Sequence, residues 1–124
     1  MLAMLAMLAC NNIEGKWRDY AFNGSQIPAN HCWTESDCFL IEQFSMELNE
    51  QFNGDFRIQI GREAEHYIYT LPISAEPDGR LWLLSVDNSD HTEIADRWSC
   101  DVDGRLMVCS VNAEEYQFRR GGHP

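Results

Sequence analysis

The sequence predicts an all-β domain, an antiparallel meander of about eight strands that closes into a small β-barrel. Three observations carry this expectation. Turn dipeptides recur at short intervals: Asn23-Gly24, Asn53-Gly54, Asp78-Gly79 and Asp103-Gly104. Such pairs tolerate the positive φ of tight hairpins. Between them, apolar and polar residues alternate, which turns one face of a strand to a core and the other to water. Finally, DGRLWLLSV at 78–86 returns as DGRLMVCSV at 103–111, as two similar hairpins would.

The elements follow in order. Ile13 to Phe22 reads as a first strand, and the stretch from Gly24 to Cys38 as the longest loop. Within that loop, Thr34-Glu35-Ser36-Asp37 has the composition of a capped helical turn. Phe44, Met46 and Leu48 interleave with polar residues, as do Phe56, Ile58 and Ile60 beyond Asn53-Gly54, so the two runs form a hairpin. Glu65 to Ile73 is a Tyr- and Ile-rich strand; Pro72 and Pro77 mark its end and the following turn. Arg80 to Val86, Thr92 to Cys100, Arg105 to Val111 and Glu115 to Arg119 complete the meander. Eight half-apolar strands bury their inner faces and remove their edges by closing on themselves.

Composition narrows the function classes. The chain has 124 residues, enough for one domain with one modest core. A net charge of −11, with only nine Lys and Arg, argues against nucleic acid and against anionic lipid head groups. No apolar run reaches the ~20 residues of a spanning helix.

Met1 to Ala9 is apolar throughout and ends at Cys10, after which the chain turns polar. That is the outline of a secretory h-region with a small residue before the cut. The expected organisation is a signal-like segment over 1–9, a short linker over 10–12, the barrel over 13–120 and a tail over 121–124. If Cys10 is spent on modification, four of the five cysteines remain, enough for two disulfides in an oxidising compartment. Four cysteines allow three pairings, and the local pairs Cys32–Cys38 and Cys100–Cys109 are preferred. For the second pair, a four-residue turn Asp103–Leu106 sets the cysteines directly opposite, whereas a two-residue Asp103-Gly104 turn leaves them diagonal. A zinc site is the competing use of these thiols, but the chain has no C-x-x-C.

Cys10 after its short apolar run resembles the lipobox of bacterial lipoproteins, where the cysteine is lipidated. Gly15-Lys16-Trp17 resembles the G-x-W signature of the lipocalin superfamily. With the meander and the ending Tyr116-Gln117-Phe118-Arg119-Arg120, the chain is similar to the short lipocalin-like lipoproteins of bacteria. The resemblance implies a lipid anchor at Cys10, placement in the cell envelope at the outer membrane, and membrane contact through the anchor only. It implies a barrel plug in which Gly15 and Trp17 open the first strand and Arg119 or Arg120 stacks on the indole, with Arg119 taken first. It implies a monomer binding a small hydrophobic molecule. Phe44, Met46, Phe56, Ile58, Tyr67, Tyr69, Trp82 and Trp98 are the candidate lining, although aromatics at these positions equally suit a packed core. The alternative is a protein-interaction module, such as an inhibitor of an envelope hydrolase.

No catalytic set stands out. The four His are scattered, and His31 beside Cys32 is a sequence neighbour rather than a facing pair. Asp87-Asn88-Ser89-Asp90 lacks the Gly and Glu of a calcium loop. Neither an enzyme, a cofactor nor a metal is expected.

Overall fold

A computed structural model describes residues 12–32, 34–87 and 94–120. The segment 1–9, Cys10, the 121–124 tail, the start of the Thr92 strand and most of the Asp87–Asp90 loop lie outside the described residues. The strands are β1 (Gly15–Phe22), β2 (Ala29–Cys32), β3 (Cys38–Leu48), β4 (Asn53–Arg62), β5 (Glu65–Asp78), β6 (Leu81–Asp87), β7 (Ile94–Asp103), β8 (Leu106–Val111) and β9 (Glu114–Arg120).

Consecutive strands from β3 to β9 pair antiparallel, β9 pairs with β1, and β1 pairs with β3. Those contacts close β1 and β3–β9 into a barrel, and β2 adds to β3 outside the closed ring. The sequence reading placed a loop over β2. Four residues flanked by a proline bend are too few for the alternation to register. Thr34 Oγ1 does accept the Asp37 backbone N–H at 3.2 Å, but a bend stands there instead of a helical turn.

The hairpins explain the turn dipeptides, with shifts. Both DGRL copies form the same turn: Asp78 faces Leu81 and Asp103 faces Leu106, with Gly79 and Gly104 at φ of 64° and 63°. Each glycine is thus the first central residue, where positive φ is needed. Asn53-Gly54 is no turn tip: both residues belong to β4, and Phe52 takes the positive φ of 62°. Gly54 is required for another reason, because a Cβ there would stand 1.7 Å from the Glu47 carbonyl oxygen. Two further hairpins turn on Glu63-Ala64 and Asn112-Ala113, all with positive φ, a conformation their side chains do not advertise.

Pro72 and Pro77 lie inside β5, not beyond its end. Pro72 stands one residue past the last β6 pair, Ile73 with Val86, and Pro77 one residue short of the hairpin's end. At such positions a missing donor costs little. β5 therefore overshoots β6. Its first half, Glu65 to Leu71, has β4 as its one strand neighbour among the described residues.

Alternation decides what is inside. β7 turns Trp98, Cys100 and Val102 inward, β8 Met107, Cys109 and Val111, and β9 Phe118. The core runs on through Trp17, Phe44, Met46, Leu48, Phe56 and Leu84. Both disulfides form as Cys32–Cys38 and Cys100–Cys109. Cys100 faces Cys109 directly, as the four-residue turn requires.

Candidate functional site

One end of the barrel is sealed. The turns at Asn49–Phe52, Gly79-Arg80 and Gly104-Arg105 gather there, with the segment Asn12–Glu14. Trp17 is buried, and its Nε1–H donates to the Ile13 carbonyl at 2.8 Å. The Arg120 guanidinium lies 4.2 Å from the Trp17 ring centroid and donates to the carbonyls of Glu14 (2.6 Å), Asn12 (2.5 Å) and Gly104 (3.3 Å). A guanidinium over an indole is favourable in its own right. Arg119, taken first from the sequence, is not the plug: it points outward and lies 4.4 Å over the Tyr20 ring. Parity is the reason. Phe118 is fully buried, so Arg120, two residues on, shares its face and Arg119 cannot.

The opposite end is open. A cavity of about 360 Å³ enters between β2, β4, β5, β7 and β9. Its walls are Phe39, Ile41, Phe56, Ile58, Ile60, Tyr69, Leu71, Val86, Trp98 and Tyr116, and its rim carries His31, Arg62, Asp96 and Glu114. Trp98 and Tyr116 stack at 4.7 Å between centroids and 12° between planes. Phe56 meets both edge-on, at 4.9 and 5.7 Å. The volume lies at the low end of small-molecule sites, and largely apolar walls with few polar groups are their usual make-up.

Of the candidate lining residues, Phe56, Ile58, Tyr69 and Trp98 reach this cavity. Phe44 and Met46 are buried, with Phe44 edge-on behind the Tyr116 ring at 5.2 Å, and Trp82 packs edge-on against Phe52 at 4.8 Å. Tyr67 sits on the overshooting part of β5, 37% exposed, and donates to Glu65. Tyr116, an inward aromatic of the last strand, is also a wall residue, and the reading missed the whole rim. Alternation signals an inward residue but not its height in the barrel, which strand stagger sets.

The rim is charged and mostly paired. His31 Nε2 lies 2.6 Å from Glu114 Oε2, tying β2 to β9. Arg62 bonds Asp37 at 2.9 Å and lies 5.6 Å over the Phe39 ring. Asp96 accepts the Asn112 side-chain amide at 3.3 Å. Two buried donors of wall and rim residues, Arg62 Nε and Trp98 Nε1, meet no acceptor among the described residues.

The Tyr116 phenol is held far above its ordinary range, first by burial and then by the nearby Glu114 and Asp96 carboxylates. Folding thus favours the neutral phenol. Its stabilising contribution is complete below the unfolded value of about 10 and falls as pH rises beyond that. In an absorbance titration at alkaline pH, the Tyr116 step should come last, at the loss of the fold. Tyr116→Phe should remove that step and leave the earlier ones in place.

A second hollow, of about 350 Å³, lies outside the barrel where β1 and β3 diverge. Arg18, Ser45 and Arg57 border it, and Asp19 Oδ2 accepts the Phe44 backbone N–H there at 2.9 Å. Being polar and outward-facing, it is the weaker candidate.

No family model matches this chain, and no curated protein or solved structure matches it, so the open, aromatic-walled end of the barrel is what speaks for its function.

Proposed function

We propose that this chain is a lipid-anchored envelope protein whose barrel takes a small hydrophobic molecule into its open end. The observation that carries the reading is the cavity itself, about 360 Å³ walled by Phe56, Tyr69, Trp98 and Tyr116. A sealed core would have closed over these rings. Here Tyr69 and Tyr116 are open to the mouth with the buried Phe56 and Trp98 rings behind them, and a ligand would bury apolar surface there at about 25 cal/mol per Å².

The anchor at Cys10 fits the geometry. Asn12 and Glu14 are held by Arg120 at the sealed end, so the chain before Asn12 leaves from there. An anchor two residues earlier would set the membrane against the sealed end and turn the mouth toward water. The two disulfides suit an oxidising compartment.

N-phenyl-1-naphthylamine, which brightens on leaving water, tests the reading. Its emission should rise saturably with the purified protein. Leu71→Trp, which adds bulk to the cavity wall, should weaken binding by about tenfold, or roughly 1.4 kcal/mol, while keeping the β-sheet spectrum. An unchanged affinity in that variant, or no rise at all, would remove the mouth as the site.

A further inference from the structure

The charges around the mouth narrow the kind of hydrophobic molecule it would hold. β7 and β9 repeat one arrangement, a carboxylate two residues before an inward ring: Asp96 with Trp98, and Glu114 with Tyr116. The two-residue period puts each carboxylate on the cavity face, next to its ring along the strand. Two anionic groups therefore border the stacked indole and phenol.

The basic side chains of the rim are already engaged. Arg62 is bonded to Asp37, and His31 to Glu114. Asp96 has the Asn112 amide, and no cation pairs with it among the described residues. Arg62 Nε and Trp98 Nε1 lack partners among the described residues but are covered by protein atoms, so neither presents a donor to a bound anion. Burial does most to raise the Tyr116 phenol, and Glu114 and Asp96 add to it, so their field reaches the cavity wall. At long range, a net charge of −11 draws cations in and repels anions.

We propose that the mouth is selective for cationic amphiphiles, with Asp96 receiving an ammonium head and the Phe56–Trp98–Tyr116 cluster holding the apolar body. This rests on the binding reading above and adds the class of ligand. An ammonium gains twice here, from the carboxylate and from the π-faces of the rings. A carboxylate head in the same place would lie near Asp96 and Glu114 with no free cation among the described residues to meet it, an unfavourable setting for a partly desolvated charge.

Three matched probes separate the possibilities: 2-(2-naphthyl)ethylamine, 2-(2-naphthyl)ethanol and 3-(2-naphthyl)propionate, titrated calorimetrically into the full chain at pH 7. The amine should bind about tenfold tighter than the alcohol, and the propionate more weakly than either. Asp96→Asn should remove most of the amine's advantage over the alcohol when both are measured in that variant. Added salt should shrink the amine's advantage. An amine no tighter than the alcohol, or a propionate tighter than both, overturns the selectivity and leaves the cavity as a neutral binder. If none of the three probes binds and N-phenyl-1-naphthylamine also fails, the binding reading falls and the selectivity with it. An Asp96→Asn protein that keeps the full amine preference removes Asp96 from the role.

Discussion

Trp17→Ala should cost about 3–5 kcal/mol of stability, the usual range for truncating a buried Trp. In thermal unfolding this corresponds to a fall in Tm on the order of 15 °C. The loss has three parts. The indole is 1% exposed and fills the sealed end, so its removal leaves a cavity. Its Nε1–H satisfies the Ile13 carbonyl, which would lose that partner beside a fully buried side chain. Arg120 would lose the ring beneath its guanidinium. The neighbouring arginines give an internal control. Arg120→Ala should cost about 2–3 kcal/mol through its charge-assisted bonds to the Asn12, Glu14 and Gly104 carbonyls. Arg119→Ala, on the outer face, should cost no more than about 0.5 kcal/mol. Urea midpoints at a common m-value measure all three. Equal costs for the two arginines would contradict the plug.

The second large effect concerns the disulfides. Cys100 and Cys109 are fully buried and face each other across β7 and β8. Replacing both with alanine should lower stability by about 2–4 kcal/mol. Cys32 and Cys38 are exposed and lie six residues apart rather than nine, so removing that pair should cost less. Accessibility adds a kinetic contrast. Under native conditions, dithiothreitol followed by iodoacetamide should label Cys32 and Cys38 first, and Cys100 and Cys109 only at the pace of barrel opening. Peptide mapping by mass spectrometry reads the order. Simultaneous labelling of all four would mean that the β7–β8 bridge is not enclosed.

Much of this architecture is written locally. Phe44, Met46 and Leu48 alternate with polar residues because β3 has one wet face, and the two DGRL segments are alike because both build one turn at the sealed end. The cysteine pairing follows from the same local logic, since the turn at Asp103–Leu106 fixes the register across to Cys109. Arg120 was within reach as well: counting in twos from Tyr116 and Phe118 selects it over Arg119.

Other features depend on the closed barrel and leave little trace in any one segment. β2 is four residues long and owes its place to pairing with β3. Pro72 and Pro77 punctuate the sequence as breakers, yet β5 passes through both because its ladders do not need those donors. The cavity is the clearest case. Trp82 and Trp98 both read as inward aromatics, but stagger places Trp82 deep and Trp98 at the mouth. His31, Arg62, Asp96 and Glu114 come from four different strands and become one rim only after closure.

Heteronuclear NMR mapping tests the binding end most directly. On titration with N-phenyl-1-naphthylamine, amide and indole shifts should concentrate at Phe56, Tyr69, Trp98, Tyr116 and the rim, with Trp17 and Val102 unmoved. Shifts centred on the sealed end, or none at saturating probe, would contradict a ligand site at the mouth.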